Sequence, residues 1–94
     1  MAYIRTTMIK SNQSFKDGLK QFKGSDREKI LKATGAQWMH MVQTGENSGM
    51  LVTCYDTKAK ADKAWKASAA SRAEALDEHG TIFWPIEGPS KWSI

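Results

Sequence analysis

Few side chains in this sequence have chemistry to offer, and most of them stand alone. His40 lies mid-strand among apolar neighbours in the run QWMHMVQT. An imidazole there could shuttle protons or serve as an axial ligand, or sit hydrogen-bonded in a core or an interface. His79 ends a helical stretch, where the helix dipole favours a cation, so capping is its expected role. Cys54 has no cationic helper nearby in sequence and reads as a small buried hydrophobe. One cysteine and two separated histidines make no zinc site within the chain. Phosphate-loop, dinucleotide, nucleophile-elbow and HExxH patterns are absent. Neither a metal nor a cofactor is expected.

Arg72 is placed differently. Ala61, Trp65, Ala69, Ala73 and Leu76, at steps of four, four, four and three, outline a buried arc on a long helix. At about 100° per residue, Ser68 and Arg72 fall inside that arc. A charge there either snorkels to the rim or faces a polar pocket beneath the helix. Tyr3, Tyr55, Trp65 and Trp84 could line an aromatic pocket or simply fill an aromatic core. The pocket candidates are therefore His40, Tyr55, Trp65, Ser68, Arg72 and Trp84, with no catalytic residue among them singled out.

The elements that must position these residues follow from patterning. Residues 2–10 are β-branched and aromatic and read as a first strand. Ser11, Asn12 and Ser14 offer helix caps before the stripe Phe15, Leu19, Phe22. Gly24 interrupts, and Ser25 with Glu28 has capping-box spacing for a second short helix carrying Ile30 and Leu31, ended by Gly35. Gln37–Thr44 is a second strand, TGENSG a hairpin turn, and Met50–Tyr55 a third strand. Asp56 and Thr57 open a long helix to about Glu78, with Gly80 as its cap and a kink expected near Ser71 and Glu74. Thr81–Glu87 is a fourth strand, and Pro85 marks it as an edge or a bulge. Gly88 and Pro89 are expected to break the chain before a short tail.

The order β-α-β-β-α-β, with right-handed crossovers, implies an α+β ferredoxin-like sandwich. Its four-stranded antiparallel sheet carries the helices on one face, in a single domain spanning 1–94. The other face ought then to alternate apolar and polar. It does not. Trp38, His40 and Val42 oppose Met39 and Met41; Met50, Val52 and Cys54 oppose Leu51, Thr53 and Tyr55; Ile82, Trp84 and Ile86 oppose Phe83 and Pro85. Apolar side chains on both faces of three strands would leave a patch larger than monomers tolerate. A second copy is the simplest cover, so a homodimer through the open sheet face is expected. The tail, residues 88–94, with Trp92 and Ile94, would extend that interface or else fold back over its own sheet.

Composition excludes other classes. The net charge of +4 raises nucleic acid as a partner, but the lysines of residues 16–32 and 58–66 are interleaved with or followed by acids, as on solvated helix faces. The RNA-recognition motif shares this element order, yet Met50 and Val52 stand where its third strand needs stacking aromatics. No nucleic-acid partner is expected. No run is apolar enough to span a bilayer, and residues 1–10 lack the apolar core and cleavage site of a signal peptide. With one thiol and five methionines, the chain reads as cytoplasmic.

The element order, the strand GAQWMHMV after the first helical region, and SGMLVTCYDT leading into the second together resemble the dimeric α+β barrel superfamily, which includes antibiotic-biosynthesis-monooxygenase-like proteins. The resemblance covers nearly the whole chain at the level of pattern. It implies two sheets packed face to face and a pocket between each protomer's sheet and helices. In some members that pocket serves cofactor-independent oxidation of aromatic or quinol molecules, and in others haem degradation. The Asn, Trp and His set of the haem-degrading members does not map onto this sequence. Two readings follow: a protein binding or oxidising a small aromatic or quinone-like ligand, with a cavity under residues 61–76, and a non-catalytic assembly or regulatory module with a filled core.

Overall fold

The structure, a computed structural model, describes residues 2–23 and 27–93, with the side chains of residues 21–23, 27 and 30 outside that description. The expected break at Gly24, the cap at Ser25, and the packing of Phe22, Ile30 and Ile94 lie outside the described residues. The elements are β1 (Tyr3–Lys10), α1 (Phe15–Lys23), α2 (Arg27–Thr34), β2 (Ala36–Gly45), β3 (Ser48–Tyr55), α3 (Lys58–Ala67), α4 (Ala69–His79) and β4 (Ile82–Pro89). The strands form one antiparallel sheet in the order β2-β3-β1-β4, the ferredoxin-like arrangement.

Local chemistry sets the boundaries. Ser14 Oγ accepts from the Asp17 N–H and opens α1, and Thr57 Oγ1 accepts from the Lys60 N–H and opens α3. Gly80 ends α4 with φ 62°, and the Gly80 and Thr81 amides return to the Leu76 and Ala75 carbonyls in a Schellman closure. The long helix does break midway, but at Ser68 and not at Ser71. Ser68 sits at φ −89°, ψ 0°, between helical and extended backbone. Its hydroxyl turns back to the Trp65 carbonyl at 3.0 Å and caps nothing ahead of it.

The buried arc also differs from the expected one. Ala61 and Ala64 are buried and Trp65, Ser68, Arg72, Ala75 and His79 are half-buried, whereas Ala69, Ala73 and Leu76 are exposed. A step of four overshoots one turn by about 40°, so three such steps leave the stripe, while the true 3.6-residue line runs through Arg72 and Ala75. At the other end of the chain, Gly88 and Pro89 do not break β4. They pair with Ile4 and Tyr3, and the Ser90 amide continues the ladder to the Ala2 carbonyl at 2.8 Å.

Each strand presents alternate residues to the helices. Tyr3, Arg5 and Thr7 on β1 lie across from Tyr55, Thr53 and Leu51 on β3, and this face meets α3 through a core of Tyr3, Tyr55, Ala61 and Ala64. The opposite face carries Trp38, His40 and Val42, Met50 and Val52, and Ile82, Trp84 and Ile86. Among the described residues no helix covers it: Trp84 is 42 % and Ile86 67 % exposed. Among the described residues no helix is long and apolar enough to cross a membrane.

Candidate functional site

Arg5 anchors the helix-facing side of the sheet. It sits mid-β1 with Thr53 across from it on β3 and Glu87 across from it on β4. The side chain is only 5 % exposed, and a charge so buried must be paired. Glu87 closes on its Nε, Nη1 donates to the Ala61 carbonyl at 2.8 Å, and Asp62 lies 3.9 Å from Nη2. Tyr3 donates its hydroxyl to the second Glu87 oxygen at 3.1 Å. The Arg5 bond holds the Glu87 carboxyl below its ordinary range. Burial pushes the Tyr3 and Tyr55 phenols up, the Tyr55 shift opposed by the Arg5 charge.

Arg72 approaches from α4. Its guanidinium carbon is 3.6 Å from the centre of the Trp65 ring, and Arg5 lies 5.0 Å from the same ring. Nη2 donates to the Trp65 carbonyl at 2.6 Å and Nε to Ser68 Oγ at 3.2 Å. The kink at Ser68 therefore supplies both acceptors that fix this arginine. Burial and the Arg5 charge lower its pKa from the ordinary value.

Between these arginines and the hairpin turn lies a partly open cavity of about 480 Å³. Thr7, Ile9, Met39, Met41, Leu51, Thr53 and Phe83 form its floor on the sheet. Phe15, Leu19, Trp65, Ala75 and His79 form its helical walls, with Glu74 and Glu78 on exposed positions of α4. The volume falls in the range of small-molecule pockets, roughly 300–1,000 Å³, and the mostly apolar lining with a few polar groups is their usual chemistry. Among the described residues no group of His, Cys, Asp and Glu is arranged to hold a metal.

Four of the six expected pocket residues, Tyr55, Trp65, Ser68 and Arg72, meet at this cavity. His40 and Trp84 do not. Both fall on the even-numbered face of their strands, turned from the helices, and the His40 ring instead leans on Trp38 at 5.3 Å. Cys54 is buried as expected, bonded to Gln37 Oε1 at 3.4 Å, and burial pushes its thiol up. Arg5, Glu87, Thr7 and Thr53 were not foreseen. Arg5 shares the odd positions of β1 with Tyr3, Thr7 and Ile9, an inward parity that could have drawn attention to it.

No family model and no curated protein matches the chain. Solved structures share its fold, two of them as follows. Both are described as dimeric ferredoxin-like proteins from an uncultured marine organism. One is 15 % identical with a TM-score of 0.69, covering 100 % of this chain and 98 % of the other. The second is 13 % identical with a TM-score of 0.58, covering 99 % and 98 %.

Proposed function

We propose that this chain works as a homodimer that binds a small, largely apolar molecule between its helices and its sheet. The observation that carries this reading is the cavity of about 480 Å³ where a structural module would have a filled core. The uncovered face with Trp38, Trp84 and Ile86 supports the dimer, as does the description of both structural neighbours as dimeric. Trp92, 78 % exposed beyond the edge strand, would extend that contact. A cytoplasmic, reducing setting suits a chain whose one thiol is free and buried. Binding is favoured over oxidation, because His40, one of the residues that could have shuttled a proton, lies on the sheet face turned away from this cavity.

A thermal-shift screen of the purified protein against aromatic and aliphatic small molecules tests this, with a folded Leu51→Trp variant whose indole fills the cavity floor. Compounds that stabilise the parent and not the variant support the reading. A screen without hits, or hits unaffected by Leu51→Trp, rejects it.

A further inference from the structure

The two arginines at Trp65 are not equivalent, and the difference specifies what the cavity takes. Arg5 is neutralised: Glu87 closes on Nε, Asp62 stands 3.9 Å from Nη2, and the Ala61 carbonyl takes Nη1. Arg72 has no such counter-charge. Among the described residues no carboxylate lies within ion-pair distance of it. Its two hydrogen bonds, from Nε to Ser68 Oγ and from Nη2 to the Trp65 carbonyl, run to neutral oxygens. These occupy one edge of the planar guanidinium. The other fork, formed by Nη1 and the second Nη2 hydrogen, has no partner among the described residues. A guanidinium held over an indole with its carbon 3.6 Å from the ring centre, fixed along one edge and free along the other among the described residues, is a preorganised donor pair for a two-oxygen anion.

Resting on the ligand-binding reading above, we infer that the cavity takes an apolar molecule bearing a single carboxylate, and that Arg72 is the group that anchors that carboxylate. The apolar part would lie over Met39, Met41, Leu51 and Phe83, which line the same cavity. One uncompensated positive charge matches one negative charge. A phosphate monoester would bring nearly two into a cavity that Glu74 and Glu78 also border. Burial first, and then the Arg5 charge, lower the Arg72 pKa from its ordinary value.

The test uses matched probes: 2-naphthoate with 2-naphthamide, and decanoate with decanamide, each titrated by calorimetry against the parent protein, Arg72→Met and Arg72→Lys. Met keeps an apolar stem over Trp65 but has no donor, and Lys keeps the charge without the fork. The parent should bind at least one acid roughly tenfold or more tightly than its amide, as charge-assisted bonds require. Arg72→Met should erase that preference, and Arg72→Lys should keep part of it. Equal binding of acid and amide by the parent would overturn this inference and leave the cavity reading standing. An acid preference that survives in folded Arg72→Met would remove Arg72 as the anchor. Failure of all four probes to bind would overturn both.

Discussion

Arg5 and Glu87 face each other across β1 and β4, and the carboxylate of one closes on the Nε of the other inside the sheet. Glu87→Ala would leave the Arg5 guanidinium buried with Asp62 alone beside it. Breaking such a pair costs about 2–3 kcal/mol here, at the lower end of the usual range because the Glu87 side chain is 24 % exposed and admits water. Urea denaturation measures the loss. The double change Arg5→Met with Glu87→Leu should recover most of it, since an apolar pair has no charge to desolvate.

The same pair sets an acid limit. Glu87 is held below its ordinary value near 4.5 in the folded state. Its contribution to stability is therefore complete above the unfolded value and disappears as pH falls through the lower folded one. Denaturation midpoints measured from pH 6 downwards should fall more steeply in the parent than in Glu87→Gln, which has no proton to take up at that position.

Under the proposed pairing of two copies through the uncovered sheet face, a charge placed on that face should separate the protomers. Ile86 is 67 % exposed, so Ile86→Asp disturbs a single copy little. Across a two-fold contact the substitution brings two carboxylates into an apolar interface, which should raise the dissociation constant by roughly a hundredfold or more. Light scattering over a concentration series reads the change in mass, and circular dichroism checks that the fold persists.

Gly49 admits Phe15 to the cavity wall. A Cβ at that position would meet the Phe15 ring at 2.7 Å and the Val42 carbonyl at 3.2 Å. Gly49→Ala should therefore displace the ring and destabilise the chain by about 1–3 kcal/mol. A cavity ligand identified by the thermal-shift screen should bind more weakly to this variant.

Cys54 is 3 % exposed, and burial pushes its thiol up. Alkylation by iodoacetamide at neutral pH should be slow in the folded protein and become rapid in denaturant, read by mass spectrometry.

The division of each strand into two faces was legible in the sequence because side chains alternate with a period of two. Met39 and Met41 separate from Trp38, His40 and Val42 as that period requires. Which face the helices cover is not legible there, since both faces are apolar, and so His40 and Trp84 count among the pocket candidates although they lie on the face turned from the helices. Arg5 went unrecognised for a different reason: its partner Glu87 lies 82 positions away, and only the β1–β4 register brings them opposite. Arg72 and Ser68 were legible from helical periodicity alone. The drift of the four-residue steps misplaced Ala69, Ala73 and Leu76 but left those two on the inner line.

Pro85 and Pro89 occupy alternate outward positions of β4, at one margin of the sheet. Neither has an amide hydrogen, so an incoming strand would find gaps in its row of donors there. The other margin, β2, has no proline, but a stack of copies growing strand by strand needs both margins. Blunting one of them works against open-ended growth by edge-to-edge pairing of strands.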